Sequence, residues 1–320
     1  EPIGKANLQQ IFKGVFDGGG YEIHNLRSEV ISTGEAYSGL FGAIYQAQVT
    51  RVVLAEDCEI RTSYYGGGVV AYAQKSEIVS CENRASVSFE GPAGYVGGIA
   101  GYVVSTSSID RCENLGIVTG TVQPSDNYAS CLVYAGGIAG VNQESAIINS
   151  SNHAVVAVEA LPEYDSCAGG IVGYNSGSST FIANCYNVAG VQLSGSGFAG
   201  GILSYTDNAD IRVANCYNIG TVSGVPGKSY PIVPILSADS EDCYYLMNCV
   251  EGEGSYAGTA LTVDYMKSTA FAARLNDWSK TNNSSETGRQ TLYWKVEDAE
   301  NDGYPVFTDQ DPGYTGVESV

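Results

Sequence analysis

The chain has 320 residues, 44% of them hydrophobic, so it can bury a core, and its 40 glycines are about twice the usual share. Thirty-five acidic residues against 15 Lys and Arg leave a formal net charge of -20, which argues against nucleic acid and anionic membrane partners, since both call for a basic surface. No apolar run approaches the roughly 18 residues of a membrane-spanning helix, and no leader pattern opens the chain, so membrane insertion is not expected and a trimmed, secreted piece of a longer protein is.

In chain order, residues 12–30 read as a first, irregular strand-bearing unit. From there a Gly-Gly followed by an apolar run recurs: a degenerate SGLFGA at Ser38, then GGVVAY at Gly67, GGIAGY at Gly97, GGIAGV at Gly136, GGIVGY at Gly169 and GGILSY at Gly200. Its second small residue falls at Gly39, Gly68, Gly98, Gly137, Gly170 and Gly201, spaced by 29, 30, 39, 33 and 31 residues. A second motif follows each of the last five at a nearly fixed offset: CEN at Cys81 and Cys112, SSN at Ser150, CYN at Cys185 and Cys216. Short runs such as Gly116 to Gly120 and Gly220 to Gly224 complete the unit. Two motifs recurring in order over five units make internal repetition the organising signal.

Each unit holds three short strand-like segments separated by turns, with no helical period. A single unit has no partner for its apolar face, whereas stacked units bury it continuously. The expected fold is therefore an all-β parallel β-helix of about seven coils, right-handed, with three short strands per coil. Residues 231–247 read as a shortened last coil, giving a solenoid over 1–250. Residues 251–309 read as a mixed cap, with Thr262 starting a short helix and a second helix over 270–277, covering the open sheet edge. Residues 310–320 read as a linker.

These residues resemble the GLUG-motif repeat proteins. The resemblance is carried by Gly39-Leu40-Phe41-Gly42, the GGIxGY copies, the CYN motifs and the opening Phe16-Asp17-Gly18-Gly19-Gly20-Tyr21-Glu22-Ile23, over residues 12 to about 250. Leu275-Asn276-Asp277-Trp278 and the later Gly-Tyr-Pro are similar to the segment that commonly follows such repeats. It implies a module of a large bacterial surface protein, as in adhesin-like proteins and in regions of streptococcal-type IgA1-specific metallopeptidases. It carries no catalytic residues over, and the two histidines, His24 and His153, do not form the H-E-x-x-H of such a peptidase.

Cys81, Cys112, Cys185 and Cys216 share one repeat position, which fits a column of buried thiols. The alternative is pairing between neighbouring coils, which parallel side chains about 4.8 Å apart disfavour. No close C-x-x-C pair suggests zinc, so neither metal nor cofactor is expected. Asn83, Asn114, Asn152, Asn187 and Asn218 recur two residues on and read as a stacked amide ladder serving the turns. Tyr72, Tyr102, Tyr174 and Tyr205 form one aromatic series, and Tyr65, Tyr95, Tyr134 and Phe198 another; solenoid packing and sugar stacking are both open to them.

The two longest inserts, 121–135 and 159–168, fall at one corner of successive coils. They nominate Asp126, Tyr128, Tyr134, Glu163, Tyr164 and Asp165 as a binding patch, since recognition concentrates on loops held by a rigid scaffold. Cys131 and Cys167 lie in the same inserts, and whether they pair is left open. The functional expectation is a monomeric, non-catalytic, extracellular or cell-surface binding module for a glycan or a host surface protein. The alternatives are a passive stalk and a polysaccharide-active β-helix enzyme. The last needs clustered carboxylates on one face, and Asp110 has no acidic equivalent at Val79 or Asn184.

Overall fold

In a computed structural model the described residues are 1–5, 10–31, 35–128, 130–207, 211–234, 239–251, 256–283, 290–297 and 299–314. The repeats stack as a parallel β-solenoid of about seven turns. One coil shows the plan: strands Ala93–Gly97, Ala100–Val104, Ser108–Asp110, Glu113–Asn114 and Val118–Val122 follow one another around the turn. Each pairs in parallel with its counterparts in neighbouring coils, building five sheets that run the length of the solenoid.

Five short segments per coil replace the three expected from the motifs. The extra breaks are single-residue corners that carry no Gly or Pro signal. Arg51, Ser80, Arg111, Asn149, Asn184, Asn215 and Asp242 all sit at left-handed φ of 49–55° between the third and fourth sheets. The ladder register also corrects one sequence alignment. Asp110 aligns with Val79, Ile148 and, through Ile148, Ala183, while Asn184 lies one position further on, at the corner occupied by Arg111.

The interior explains why the two motifs keep a fixed offset. Ile99, Ile138, Ile171 and Ile202, each directly after a Gly-Gly pair, are fully buried, as are Ile78, Ile109, Ile147 and Ile182 on the third sheet. Between them the Asn of each CEN or CYN motif reaches across the coil to the Gly-Gly bend. A Cβ at Gly98 would lie 2.2 Å from the Asn114 amide carbon, and one at Gly170 2.6 Å from that of Asn187. The second glycine is thus obligatory wherever the asparagine is present.

The asparagines are fully buried and linked: Asn83 Nδ2 donates to Asn114 Oδ1 at 2.9 Å, Asn114 to Asn152, Asn152 to Asn187 and Asn187 to Asn218, the last three at 2.8 Å. Each amide also donates to a backbone carbonyl two residues on, such as Ala189 O from Asn187. The preceding Cys81, Cys112, Ser150, Cys185 and Cys216 are buried, and the backbone N–H of one coil donates to the side chain of the next: Cys81 to Cys112 Sγ at 3.4 Å, Cys112 to Ser150 Oγ at 3.1 Å. All nine cysteines are free thiols. Cys131 packs inward on a core cluster with Val133 and Val158, whereas Cys167 takes the register position of the outward-facing Tyr134, so the two point to opposite faces.

The start of the C-terminal segment stacks on the last coil, with Ala257 against the core, and the rest lies along the solenoid's flank. Strand Thr259–Leu261 still pairs with Tyr244–Leu246. Helix α1 (Val263–Met266) is capped by Thr262 and α2 (Thr269–Asn282) by Ser268, whose hydroxyl accepts from Phe271 N–H. Phe271, Leu275 and Trp294 pack on the column Tyr186, Tyr217 and Tyr244. The corner asparagines complete the docking: Leu292 N–H donates to Asn149 Oδ1 at 2.9 Å, Trp294 Nε1 to Asn184 Oδ1 at 2.8 Å, and Asn215 Nδ2 to Leu275 O at 3.2 Å. Residues 310–314, read from sequence as linker, fold back on this unit through Lys280 with Asp311 at 3.0 Å and Tyr314 Oη accepting from Val296 N–H. Residues 315–320 of that segment lie outside the described residues.

Candidate functional site

The first and second sheets meet at the Gly-Gly bend, and their backbones come into contact. A Cβ at Gly101 would sit 2.8 Å from Gly66 O, and one at Gly140 2.8 Å from Tyr134 O. This closeness brings the outward-facing aromatic residues of the two sheets together in one groove. Tyr37, Tyr65, Tyr95, Tyr134 and Phe198 come from the first sheet; Tyr72, Tyr102, Tyr174 and Tyr205 come from the second.

Within a column the rings mostly stack, with Tyr37 to Tyr65 at 4.8 Å, Tyr65 to Tyr95 at 5.3 Å and Tyr72 to Tyr102 at 5.8 Å. Between columns they meet edge-on, as Tyr95 does Tyr102 at 5.1 Å, or stacked, as Tyr134 does Tyr174 and Phe198 does Tyr205, both at 4.6 Å. With Tyr64, which joins Tyr65 and Tyr95, the strip is continuous over ten rings, all of them half-buried. From Tyr37 to Phe198 it runs roughly 24 Å, five inter-coil steps.

Polar groups edge the strip. Tyr37 Oη donates to Glu35, Tyr102 Oη to Gln143 and Tyr174 Oη to Asp207. Burial raises the phenol pKa of Tyr37, Tyr102 and Tyr174, that of Tyr102 to about 12, and nearby Glu35 and Asp207 push in the same direction. These three hydroxyls therefore stay protonated and keep donor capacity at neutral pH. At one end Lys228 Nζ lies 4.7 Å from the Phe198 ring centroid and 2.9 Å from both Asp165 oxygens.

The structure divides the patch nominated from the inserts. Both inserts leave the same corner, between the fifth and first sheets. Tyr134 belongs to the strip. Asp165 is held at the strip's end by Lys228 and Ser196 Oγ, an environment that lowers its pKa. Tyr128 and Tyr164 turn their rings onto the core cluster beneath the loops, and no ring contact among the described residues joins them to the strip. Asp126 and Glu163 are exposed. Tyr37, Tyr64, Glu35, Gln143, Asp207 and Lys228 were not singled out from sequence. Tyr37 pairs with Tyr65, but it stands two residues before Gly39 where its counterparts stand three before theirs, which breaks the series.

Fold and groove together define a parallel β-solenoid with a laterally docked C-terminal unit and a continuous aromatic strip. No protein-family profile matches the chain, and no curated protein does. Among solved structures it is similar to a Bacteroides ovatus protein described as a "putative immunoglobulin A1 protease", with a TM-score of 0.53 and 20% identity over 92% of this chain and 77% of that one. It is also similar to a structure described as "IgA1 Protease", with a TM-score of 0.47 and 17% identity over 71% of this chain but only 17% of that one. The first likeness is one of fold alone.

Proposed function

We propose that the chain is a non-catalytic recognition module of an extracellular bacterial surface protein, and that it binds an extended glycan along the aromatic strip. The observation that carries this is the strip itself, ten contacting rings in a groove, with donors and acceptors along its margin. Aromatic faces stack on the C–H faces of sugars. The rings repeat every coil, a step comparable with the rise of one sugar unit in an extended chain. The acidic surface suits a neutral or basic polymer and disfavours a polyanion. The motif resemblance and the solenoid fold support a surface-protein setting.

Affinity electrophoresis against neutral polysaccharides tests the proposal. Retardation by at least one polymer is expected, with affinity falling about tenfold or more in the double variant Tyr65→Ala/Tyr102→Ala, each lost stacking contact contributing on the order of 1 kcal/mol. A variant with only the loop residues 123–130 and 160–164 shortened to tight turns, which keeps Tyr134 and Asp165 in place, should bind as the parent does. Loss of binding in that variant instead would return the site to the corner. No retardation by any polymer would favour the passive stalk.

A further inference from the structure

A second cleft, of about 470 Å³, opens where the C-terminal unit meets the solenoid flank, around the corner between the third and fourth sheets. Its origin lies in one column of the fourth sheet, which reads Glu82, Glu113, Ser151, Tyr186, Tyr217 and Tyr244 from coil to coil. The tyrosines carry the docked unit and the glutamates do not. At the step between them the small Ser151 leaves a gap, which His153 only partly fills.

The groups facing this gap are of mixed kind. His153 Nε2 is 3.1 Å from Glu113 Oε1 and 3.2 Å from Ser151 Oγ, and its ring meets Tyr186 edge-on at 5.3 Å. Carboxylate and hydroxyl share one ring nitrogen. A nucleophile relay needs them on opposite nitrogens, so the arrangement suits binding better than acyl transfer. Arg111, at its left-handed corner, also lines the cleft, and its Nε is shielded from solvent with no hydrogen-bond partner among the described residues. From the docked unit, Phe307 supplies an apolar wall, and Glu300 shares Lys295, at 3.2 Å, with Glu297 at 2.7 Å. Burial lowers the His153 pKa to about 4, so the imidazole is neutral near pH 7.

We propose that this cleft binds one neutral monosaccharide unit, with Arg111 donating to, and Glu113 accepting from, its hydroxyls, and Phe307 against its apolar face. The argument is one of hydrogen-bond complementarity. Arg111 offers only donors and the Glu113 carboxylate only acceptors, so an anion would meet Glu113 without a donor and an ammonium would meet Arg111 without an acceptor. A ligand that both donates and accepts, without charge, completes the set. Paired charged groups with an aromatic wall, in a pocket at the junction of two units, are what small-molecule sites use to fix orientation. The site stands apart from the strip, on a different corner of the coil, so the two readings fail separately.

The test is saturation-transfer NMR on the whole chain with D-glucose, D-galactose, D-mannose and N-acetylglucosamine, and with glucuronate and glucosamine as charged counterparts. Transfer to at least one neutral sugar is expected, weakened about tenfold or more in Glu113→Gln and in Arg111→Met, because each leaves a sugar hydroxyl without its partner. The measurements are made in the Tyr65→Ala/Tyr102→Ala background, so that stacking on the aromatic strip does not supply the signal. Far-UV circular dichroism checks that the variants fold, and either folded variant suffices. Absence of transfer to every neutral sugar overturns the proposal. So does transfer that survives both substitutions, and so does tighter binding of glucuronate or glucosamine than of its neutral counterpart.

Discussion

Asn187 is fully buried and uses both its amide groups: Nδ2 donates to Ala189 O and Asn218 Oδ1, and Oδ1 accepts from Asn152 Nδ2. Alanine there strands Ala189 O and the two neighbouring amides in a dry interior. Asn187→Ala should cost about 2–3 kcal/mol, read as a lower denaturant midpoint, and a change under about 0.5 kcal/mol would show that the ladder is dispensable. His153 makes a different prediction. Burial lowers its pKa from 6.5 to about 4, although Glu113 lies 3.1 Å from the ring. Between those values the unfolded chain binds a proton that the folded chain does not. Stability therefore falls as pH drops from about 6.5 towards 4, with a contribution from this residue of roughly 2–3 kcal/mol. Denaturation midpoints of the parent and of His153→Gln, followed over that range, check this. The variant should lose less stability, and parallel pH profiles would remove the residue from the account.

At the scale of elements, the docked unit depends on a small number of contacts. Trp294 is fully buried, packs on Tyr186 and Tyr217 at 5.6 and 5.5 Å, and donates to Asn184. Trp294→Ala should cost about 3–5 kcal/mol, concentrated in the C-terminal unit. Limited proteolysis should then cut within 263–314 while the coils remain intact; simultaneous loss of both would mean that the two units fold as one. The footprint of this unit was partly legible. The change from CEN at Cys81 and Cys112 to CYN at Cys185 and Cys216 marks where a half-buried glutamate gives way to a covered tyrosine, and Asn184 and Asn215 extend it to NCYN. What the sequence did not show is that these residues face a distant segment, since the CYN motif reads as internal to the repeat. The aromatic strip was visible as two series, but their merger into one groove depends on the angle at the Gly-Gly bend, which residue spacing does not encode.

For the whole molecule, contacts run almost entirely between neighbouring coils, so stability is close to a sum of local terms and differs along the axis. The repeat period made this architecture readable: every Gly-Gly and every Asn recurs because each coil solves the same packing problem. The departures from periodicity set the gradient. Coils carrying Asn149, Asn184 and Asn215 are clasped laterally by the C-terminal unit, whereas the first coil pairs on one side only and leaves Val15 72% and Tyr21 81% exposed. Opening the first coil breaks one set of ladders, while opening a clasped coil breaks two sets together with the docked aromatics. Native-state hydrogen exchange should therefore rank protection from lowest in strands Val15–Asp17 and Arg27–Val30, through Glu77–Val79, to highest in Ala146–Ile148 and Phe181–Ala183. Trp294→Ala should lower protection in the last two and leave the first two unchanged, because no ladder carries the loss that far. Uniform protection along the axis, or a uniform response to that substitution, would show that the solenoid opens as one cooperative body and that the clasp adds nothing local.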